Sequence, residues 1–285
     1  MIQSMTGFGK HVVQLPTKKI TVELKSLNSK SLDINVRMPS LYREKELELR
    51  RIIAEALKRG KIDFGLYVEI TGDETSTEVN EGVVKQYMKQ LGAIAKGEEV
   101  HLLEMALRLP DAMKTGRDEI DVKDYEAILE ALRNAIDKLN SYRNEEGEVL
   151  EKEFAERMDE MTNLLDRVKE MDPERLGSIR PRLQKAAEDL KTEIDENRFE
   201  QELMYYLEKY DITEEKLRLQ NHLSYFTETM RSAQSNGKKL GFISQEIGRE
   251  INTIGSKANY APMQQLVVQM KDSLEKVKEQ MLNVL

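Results

Sequence analysis

The apolar residues of this chain change their spacing once, and that change limits the folds open to it. Up to residue 70 they alternate. Ile20, Val22 and Leu24 alternate with Thr21, Glu23 and Lys25, and Leu32, Ile34, Val36 and Met38 with Asp33, Asn35 and Arg37. Ile62, Phe64, Leu66, Val68 and Ile70 repeat the pattern and stop at Gly72. A period of two gives a strand one apolar and one polar face. A single helical interruption, Leu47, Ile52, Ile53, Ala56 and Leu57, lies between Pro39 and Gly60. Counting 2–14 as the first strand, the order is strand, strand, strand, helix, strand. That order predicts a small, mostly antiparallel sheet with a helix on one face, an α+β layer.

From about residue 80 onward the apolar spacing is helical. It predicts helices over 81–96, 100–108, 122–145, 146–171, 174–209, 214–234, 239–254 and 262–284, punctuated by Pro110, Pro173, Pro181 and Pro262. Leu150, Phe154, Met158, Met161, Leu165, Val168 and Met171 recur at spacings of three and four. Met263, Val267, Met270, Leu274, Val277 and Met281 step by 4, 3, 4, 3, 4, a heptad seam on a highly charged helix. Such a helix buries a narrow stripe against a partner, in the same chain or in another subunit. The fold class is thus α+β, the sheet layer being followed by a large all-helical part with long, coiled-coil-like helices. The divisions expected are 1–75 for the sheet, 76–145 for its helical continuation, 146–210 for a long helical hairpin and 211–285 for a C-terminal helical domain carrying the active site.

Composition removes several chemistries. There is no Cys, which excludes thiolate zinc sites and a Cys nucleophile. The three His are His11, His101 and His222, too few for a two-histidine acid–base site without drawing on distant segments. No apolar run reaches the roughly 18 residues of a membrane span, and the start lacks the basic and apolar regions of a signal peptide. A cytoplasmic protein without membrane contact is expected. The net charge of −8 argues against nucleic acid, but it is an average. Residues 1–70 carry 13 Lys/Arg against 8 Asp/Glu, and 231–260 carry five (Arg231, Lys238, Lys239, Arg249, Lys257) against Glu246 and Glu250. Local excess, not bulk charge, decides phosphate binding.

Nucleotide-loop and zinc-protease motifs are absent, so no organic cofactor is expected. Thr6-Gly7-Phe8-Gly9 opens no helix, and reads as a bulge or a close backbone approach. Two stretches hold the candidate chemistry. Residues 199–222 contain Glu202, Asp211, Glu214, Glu215 and His222, with Glu215 and His222 on one helix face two turns apart. The plainer reading makes Thr213 a helix cap, with Glu214 and Glu215 complementing the dipole. In 237–259, Leu240, Ile243, Ile247, Ile251 and Ile254 form the buried stripe. Glu246 and Glu250 lie on one flank at a spacing where like charges repel. Arg249 and Lys257 can supply the missing positive charge, or a divalent cation can, since carboxylates suit Mg²⁺ and Mn²⁺. The other flank carries Gly241, Gln245, Gly248 and Asn252. Two glycines inside a helix call for a close neighbour, either a second helix or a nucleic-acid backbone.

SMTGFGK, VELKSLNSKSLDINVRMP and RGKIDF at the start, and YDITEEKLRLQNHLSYF, GKKLGFISQEIGREINTIGSKAN and QLVVQMK at the end, resemble the YicC/YloC family of bacterial proteins in order and spacing. The resemblance runs from residue 1 to 285. It implies an endoribonuclease acting on single-stranded or structured RNA with a divalent metal (Mn or Mg), a role in small-RNA turnover and assembly as a hexameric ring. Metal-assisted phosphodiester cleavage needs carboxylates to hold the ion and a group to carry a proton, which makes Glu246, Glu250 and His222 the candidate catalytic residues and Glu202, Asp211, Glu215, Glu246 and Glu250 the candidate metal ligands. Arg37, Arg218, Lys238, Lys239, Arg249, Asn252 and Lys257 are then the residues expected on RNA. Gly241, Gly248 and Gln269 depart from the family's polar residues. The alternative is a non-catalytic, ring-forming RNA-binding scaffold or adaptor.

Overall fold

The computed structural model describes residues 2–71, 78–114, 120–189, 195–232 and 236–285. They form two compact units. One, the sheet unit, comprises Phe8–Lys25 and Leu32–Leu139; the other, the bundle unit, comprises Met1–Gly7, Ser26–Ser31 and Asn140–Leu285.

The sheet unit holds β1 (Gly7–Gln14), β2 (Lys18–Leu27), β3 (Leu32–Arg37), α1 (Glu46–Leu57) and β4 (Gly60–Ile70), with the sheet order β1-β2-β4-β3. The α+β class is as expected, and the sheet is mixed. β3 and β4 run parallel, in register from Leu32 opposite Gly60 to Arg37 opposite Gly65. A parallel pair needs a crossover, and α1 supplies it. The inner face buries Ile20, Val22, Leu24, Ile62, Phe64 and Leu66 to 2% exposure or less. From α1 it receives Leu49, Ile53 and Leu57, one four-residue row. Leu47, expected on that face, is 82% exposed, because it stands about 200° around the helix from Leu49.

β5 (Glu78–Val79) pairs antiparallel with β6 (Met113–Lys114), and between them α2 (Glu81–Ile94) and α3 (Glu99–Leu107) enclose a small core of Val84, Ala106 and Ala112. The first part of α4 (Val122–Gly177) closes the main core with Ile128, Ala131, Leu132, Ala135 and Leu139. It passes so near β1 that a Cβ at Gly9 would fall 1.9 Å from the Ala135 carbonyl oxygen. The glycine of the TGFG stretch is therefore there for a backbone approach.

α4 is one helix of 56 residues where 122–145 and 146–171 read as two. Gly147 does not interrupt it; a Cβ there would lie 2.1 Å from the Ile2 carbonyl oxygen. Residues 2–6, expected as strand, instead join the bundle unit. Ser4 bridges Val284, and the Met5 N–H donates to the Asn283 carbonyl at 2.7 Å. Buried Arg143 donates to Ser26 Oγ at 2.6 Å and to the Met5 carbonyl at 3.3 Å, and burial lowers its pKa to about 10.

The rest of the bundle unit is α5 (Ile179–Asp189), α6 (Glu196–Lys209), α7 (Thr213–Met230), α8 (Gly237–Ala258) and α9 (Ala261–Met281). The expected single helix over 174–209 is thus divided between the end of α4, α5 and α6. The later half of α4, with α7, α8 and α9, shares one core, in which the Phe154 and Phe226 rings meet edge to face at 6.1 Å. α4 runs through Pro173 because its last turn is tied to α7. Asp172, 4% exposed, accepts from Arg175 Nε at 2.8 Å and Lys216 Nζ at 2.5 Å, and Arg175 also donates to the Tyr210 carbonyl. The α9 seam finds its partner in this same core: Met263, Val267, Met270, Leu274 and Val277 are at most 2% exposed, and Met281 is half-buried. The seam therefore gives no argument for a second subunit. Among the described residues no helix is long and apolar enough to cross a membrane.

Candidate functional site

α7 is preceded by a side-chain turn. Asp211 Oδ1 accepts from the Thr213 N–H at 3.0 Å and hydroxyl at 2.7 Å. The hydroxyl bond first, and the N–H bond second, hold the Asp211 carboxyl below the usual carboxylate range. The N-cap position is Ile212, which has no side-chain cap, so Thr213 is the first helical residue and a donor to the Asp211 turn, and not the cap expected of it.

α7 then packs along α8, and two contacts fix them as antiparallel. Near one end, Lys239 Nζ lies over the Tyr225 ring, 4.6 Å from its centroid. Near the other, Lys257 Nζ donates to Glu215 Oε1 at 2.7 Å and to the Asp211 carbonyl at 3.0 Å. Glu215 is 6% exposed, and its Oε2 is buried without a hydrogen-bond partner among the described residues. Between these anchors lie His222 on α7 and Glu246 and Glu250 on α8. His222 is half-buried and makes no hydrogen bond among the described residues. Glu246 pairs with exposed Arg249 at 2.9 Å. Glu250 is 8% exposed, with no cation or donor on it among the described residues.

The other candidates are more dispersed. Glu202 is exposed on α6, on the rim of an open cavity with Arg198, Gln201 and Tyr205. Among the described residues no three His, Asp or Glu side chains gather as a metal cage, so Glu202, Asp211, Glu215, Glu246 and Glu250 do not form one ligand set. Arg218 is paired with Glu214, while Lys238 and Asn252 are exposed. The glycine flank of α8 divides. A Cβ at Gly248 would lie 3.2 Å from Leu274 Cδ2, and one at Gly255 2.9 Å from Val267 Cγ1, so α9 is the close neighbour there. At Gly241 nothing lies within 4 Å among the described residues.

Arg37 belongs to the sheet unit. It lines a cavity of about 110 Å³ on the outer face of the sheet with Glu23, Lys25, Asp63, Phe64, Gly65 and Tyr67. Sequence reasoning named only Arg37 here. The available signal was Tyr67, an aromatic on the polar face of a strand, two residues after a glycine.

The N-terminal region of the endoribonuclease YicC-like family matches residues 2–152, and its C-terminal region matches residues 168–285. A probable endoribonuclease YicC of Clostridioides difficile (strain 630) is 32% identical over 293 residues, with all of both chains covered. A second, from Haemophilus influenzae, is 30% identical over 289 residues, again with all of both chains covered. The motifs at both ends and the matches to both regions agree: the chain belongs to the endoribonuclease YicC-like family.

Proposed function

We propose that this chain is an endoribonuclease that hydrolyses phosphodiester bonds of single-stranded or structured RNA along the α7–α8 pair. The observation that carries the reading is Glu250, 8% exposed and without a cation among the described residues. A carboxylate taken out of water and left unpaired costs several kcal/mol. The adjacent Glu246 adds to that cost, since like charges one turn apart repel. A chain bears such a pair where a ligand brings positive charge.

The residues fit a small divalent cation such as Mg²⁺ or Mn²⁺. Mg²⁺ takes one or two carboxylates from a protein and completes its shell with water and substrate phosphates. Glu246 and Glu250 would hold it in that manner, and no third carboxylate is required. When bound, the ion supplies charge against the phosphate oxygens and acidifies a water. The exposed Glu246–Arg249 pair is weak enough to open, releasing Arg249 toward a phosphate. His222, with neither nitrogen engaged among the described residues, is available to carry a proton to the leaving oxygen. Lys238 and Lys239 extend a basic surface from the α8 start. Small RNAs and self-association into a ring belong to the same proposal; exposed Ile94, Val100 and Met105 on α2 and α3 supply apolar surface for it.

The test is cleavage of labelled RNA by the purified chain, with EDTA and with Mn²⁺ restored. Glu250→Gln should cut at least about tenfold more slowly, roughly 1.4 kcal/mol in the barrier, with an unchanged or raised melting temperature. A shift of RNA in gels with no cleavage under any metal would overturn the nuclease and leave a binding protein. Static light scattering at 33.0 kDa would remove the ring.

A further inference from the structure

The outer face of the sheet carries a second group of residues that the cleavage reading does not use. Along β4, Lys61, Asp63, Gly65, Tyr67 and Glu69 point away from the buried Ile62, Phe64 and Leu66. Parallel pairing with β3 places Asn35 beside Asp63 and Arg37 beside Gly65. Asn35 Nδ2 donates to Asp63 Oδ1 at 2.9 Å. Gly65 has a reason to be glycine. A Cβ there would lie 2.8 Å from Tyr67 Cε2 and 3.0 Å from its hydroxyl oxygen, so the far end of the Tyr67 ring lies across it. The ring remains 47% exposed. A second aromatic on this sheet, Phe8, is 43% exposed with Lys25 Nζ 5.9 Å from its centroid.

Charge on this face is unevenly satisfied. Lys10 pairs with Glu23 at 2.8 Å, and Lys19 with Glu69 at 3.3 Å. Arg37 and Lys25 make no ion pair among the described residues. Both line the cavity of about 110 Å³ against Tyr67, where Glu23 and Asp63 supply acceptors. An aromatic ring laid open, two unneutralised cations and two acceptors form a mixed chemistry. A purely anionic ligand would be repelled by the acceptors, and a purely apolar one would strand the cations. An unpaired nucleotide suits every part: its base stacks on the ring, its phosphate meets the cations, and its N–H groups or 2′-hydroxyl donate to the carboxylates.

We propose that this cavity holds one unpaired nucleotide of an RNA strand, with the base on Tyr67 and the phosphate against Arg37 and Lys25. The proposal rests on the reading of the chain as an RNA enzyme and adds a holding site in the sheet unit. Asp63 is kept by Asn35, and Glu23 by Lys10, with one oxygen each directed to these partners. The site selects unpaired over duplex RNA, because a base inside a helix has no free face to stack.

The probes are a short fluorescein-labelled single-stranded RNA and the same strand annealed to its complement, with the full chain. Tyr67→Phe should bind the single strand as wild type does. Tyr67→Ala should weaken it by about tenfold, the effect of losing one stacked base. Arg37→Gln should also weaken it and make the log affinity–log salt slope shallower by about 0.7. The duplex should respond little to either tyrosine variant. Irradiation with 4-thiouridine RNA should place an adduct on the tryptic peptide 62–85, which contains Tyr67. Wild-type affinity for Tyr67→Ala and no adduct on 62–85, with RNA still bound and cut, would overturn this site and leave the cleavage reading standing. A wild-type chain that neither binds nor cuts RNA would overturn both.

Discussion

Lys257 was expected on RNA, yet its amino group is held by Glu215 and the Asp211 carbonyl. The two roles differ in what a substitution does. Lys257→Met keeps the aliphatic stem and removes the charge, leaving Glu215 at 6% exposure with neither oxygen compensated. Breaking a fully buried pair costs about 3–5 kcal/mol. The Lys257 side chain is 34% exposed, so water already screens part of the attraction, and roughly 2–3 kcal/mol is the sounder figure. For a unit of this size that is a fall of roughly 5–10 °C in melting temperature. Glu215→Gln should cost less, about 1 kcal/mol, because the freed lysine can turn to solvent while the amide stays uncharged. The double variant should lose less than the two single losses together, by about 1–2 kcal/mol. Thermal melts followed by far-UV circular dichroism measure all three, and RNA anisotropy is read on the same samples. If Lys257→Met melts with wild type but binds RNA poorly, the amino group serves phosphate and the structural argument is wrong.

Three further expectations concern single positions. Gly9→Ala drives a Cβ into the Ala135 carbonyl, which cannot yield as a side chain would, and should cost at least about 3 kcal/mol in urea unfolding. Gly241→Ala, with nothing within 4 Å among the described residues, should instead stabilise by about 0.5–1 kcal/mol through helix propensity; a loss of stability would refute that. Asp211→Asn keeps the acceptor for Thr213 but not the charge. The native carboxyl sits below its ordinary value, so its stabilisation is complete above that value and is lost as the pH falls through the lowered native one. The stability gap between wild type and variant should close as the pH falls below the lowered native value, and a gap that widens on acidification would refute the turn's contribution.

The sequence revealed its elements wherever one residue type had one task. Leu240, Ile243, Ile247, Ile251 and Ile254 are all at most 5% exposed, as their spacing required. The same spacing could not show that α4 continues through Gly147, because the glycine answers the Ile2 backbone, which is remote in the chain. Nor could it show the parallel β3–β4 pair, since alternation is the same in either direction. At the candidate site, the repulsive Glu246–Glu250 spacing was legible, but their fates were not. Glu246 pairs with Arg249, while Glu250 is buried. Strand alternation puts Tyr67 on the polar face, but that its ring lies over Gly65 is visible only in the fold.

The bundle unit is assembled from pieces far apart in the order of synthesis. The short segment Ser26–Ser31 belongs to it, and Asn28 there donates to the Leu282 carbonyl. The sheet unit has all its residues once Leu139 has been added. Asn28 must wait for a partner more than 250 residues later. At about 5–20 residues per second, a ribosome takes roughly 7–30 s to add the stretch from Asn140 onward. During that interval the sheet can form while its Ser26–Ser31 connection lacks the partners it will keep. The nascent chain thus passes through a stage in which one unit is finished and the other is only begun.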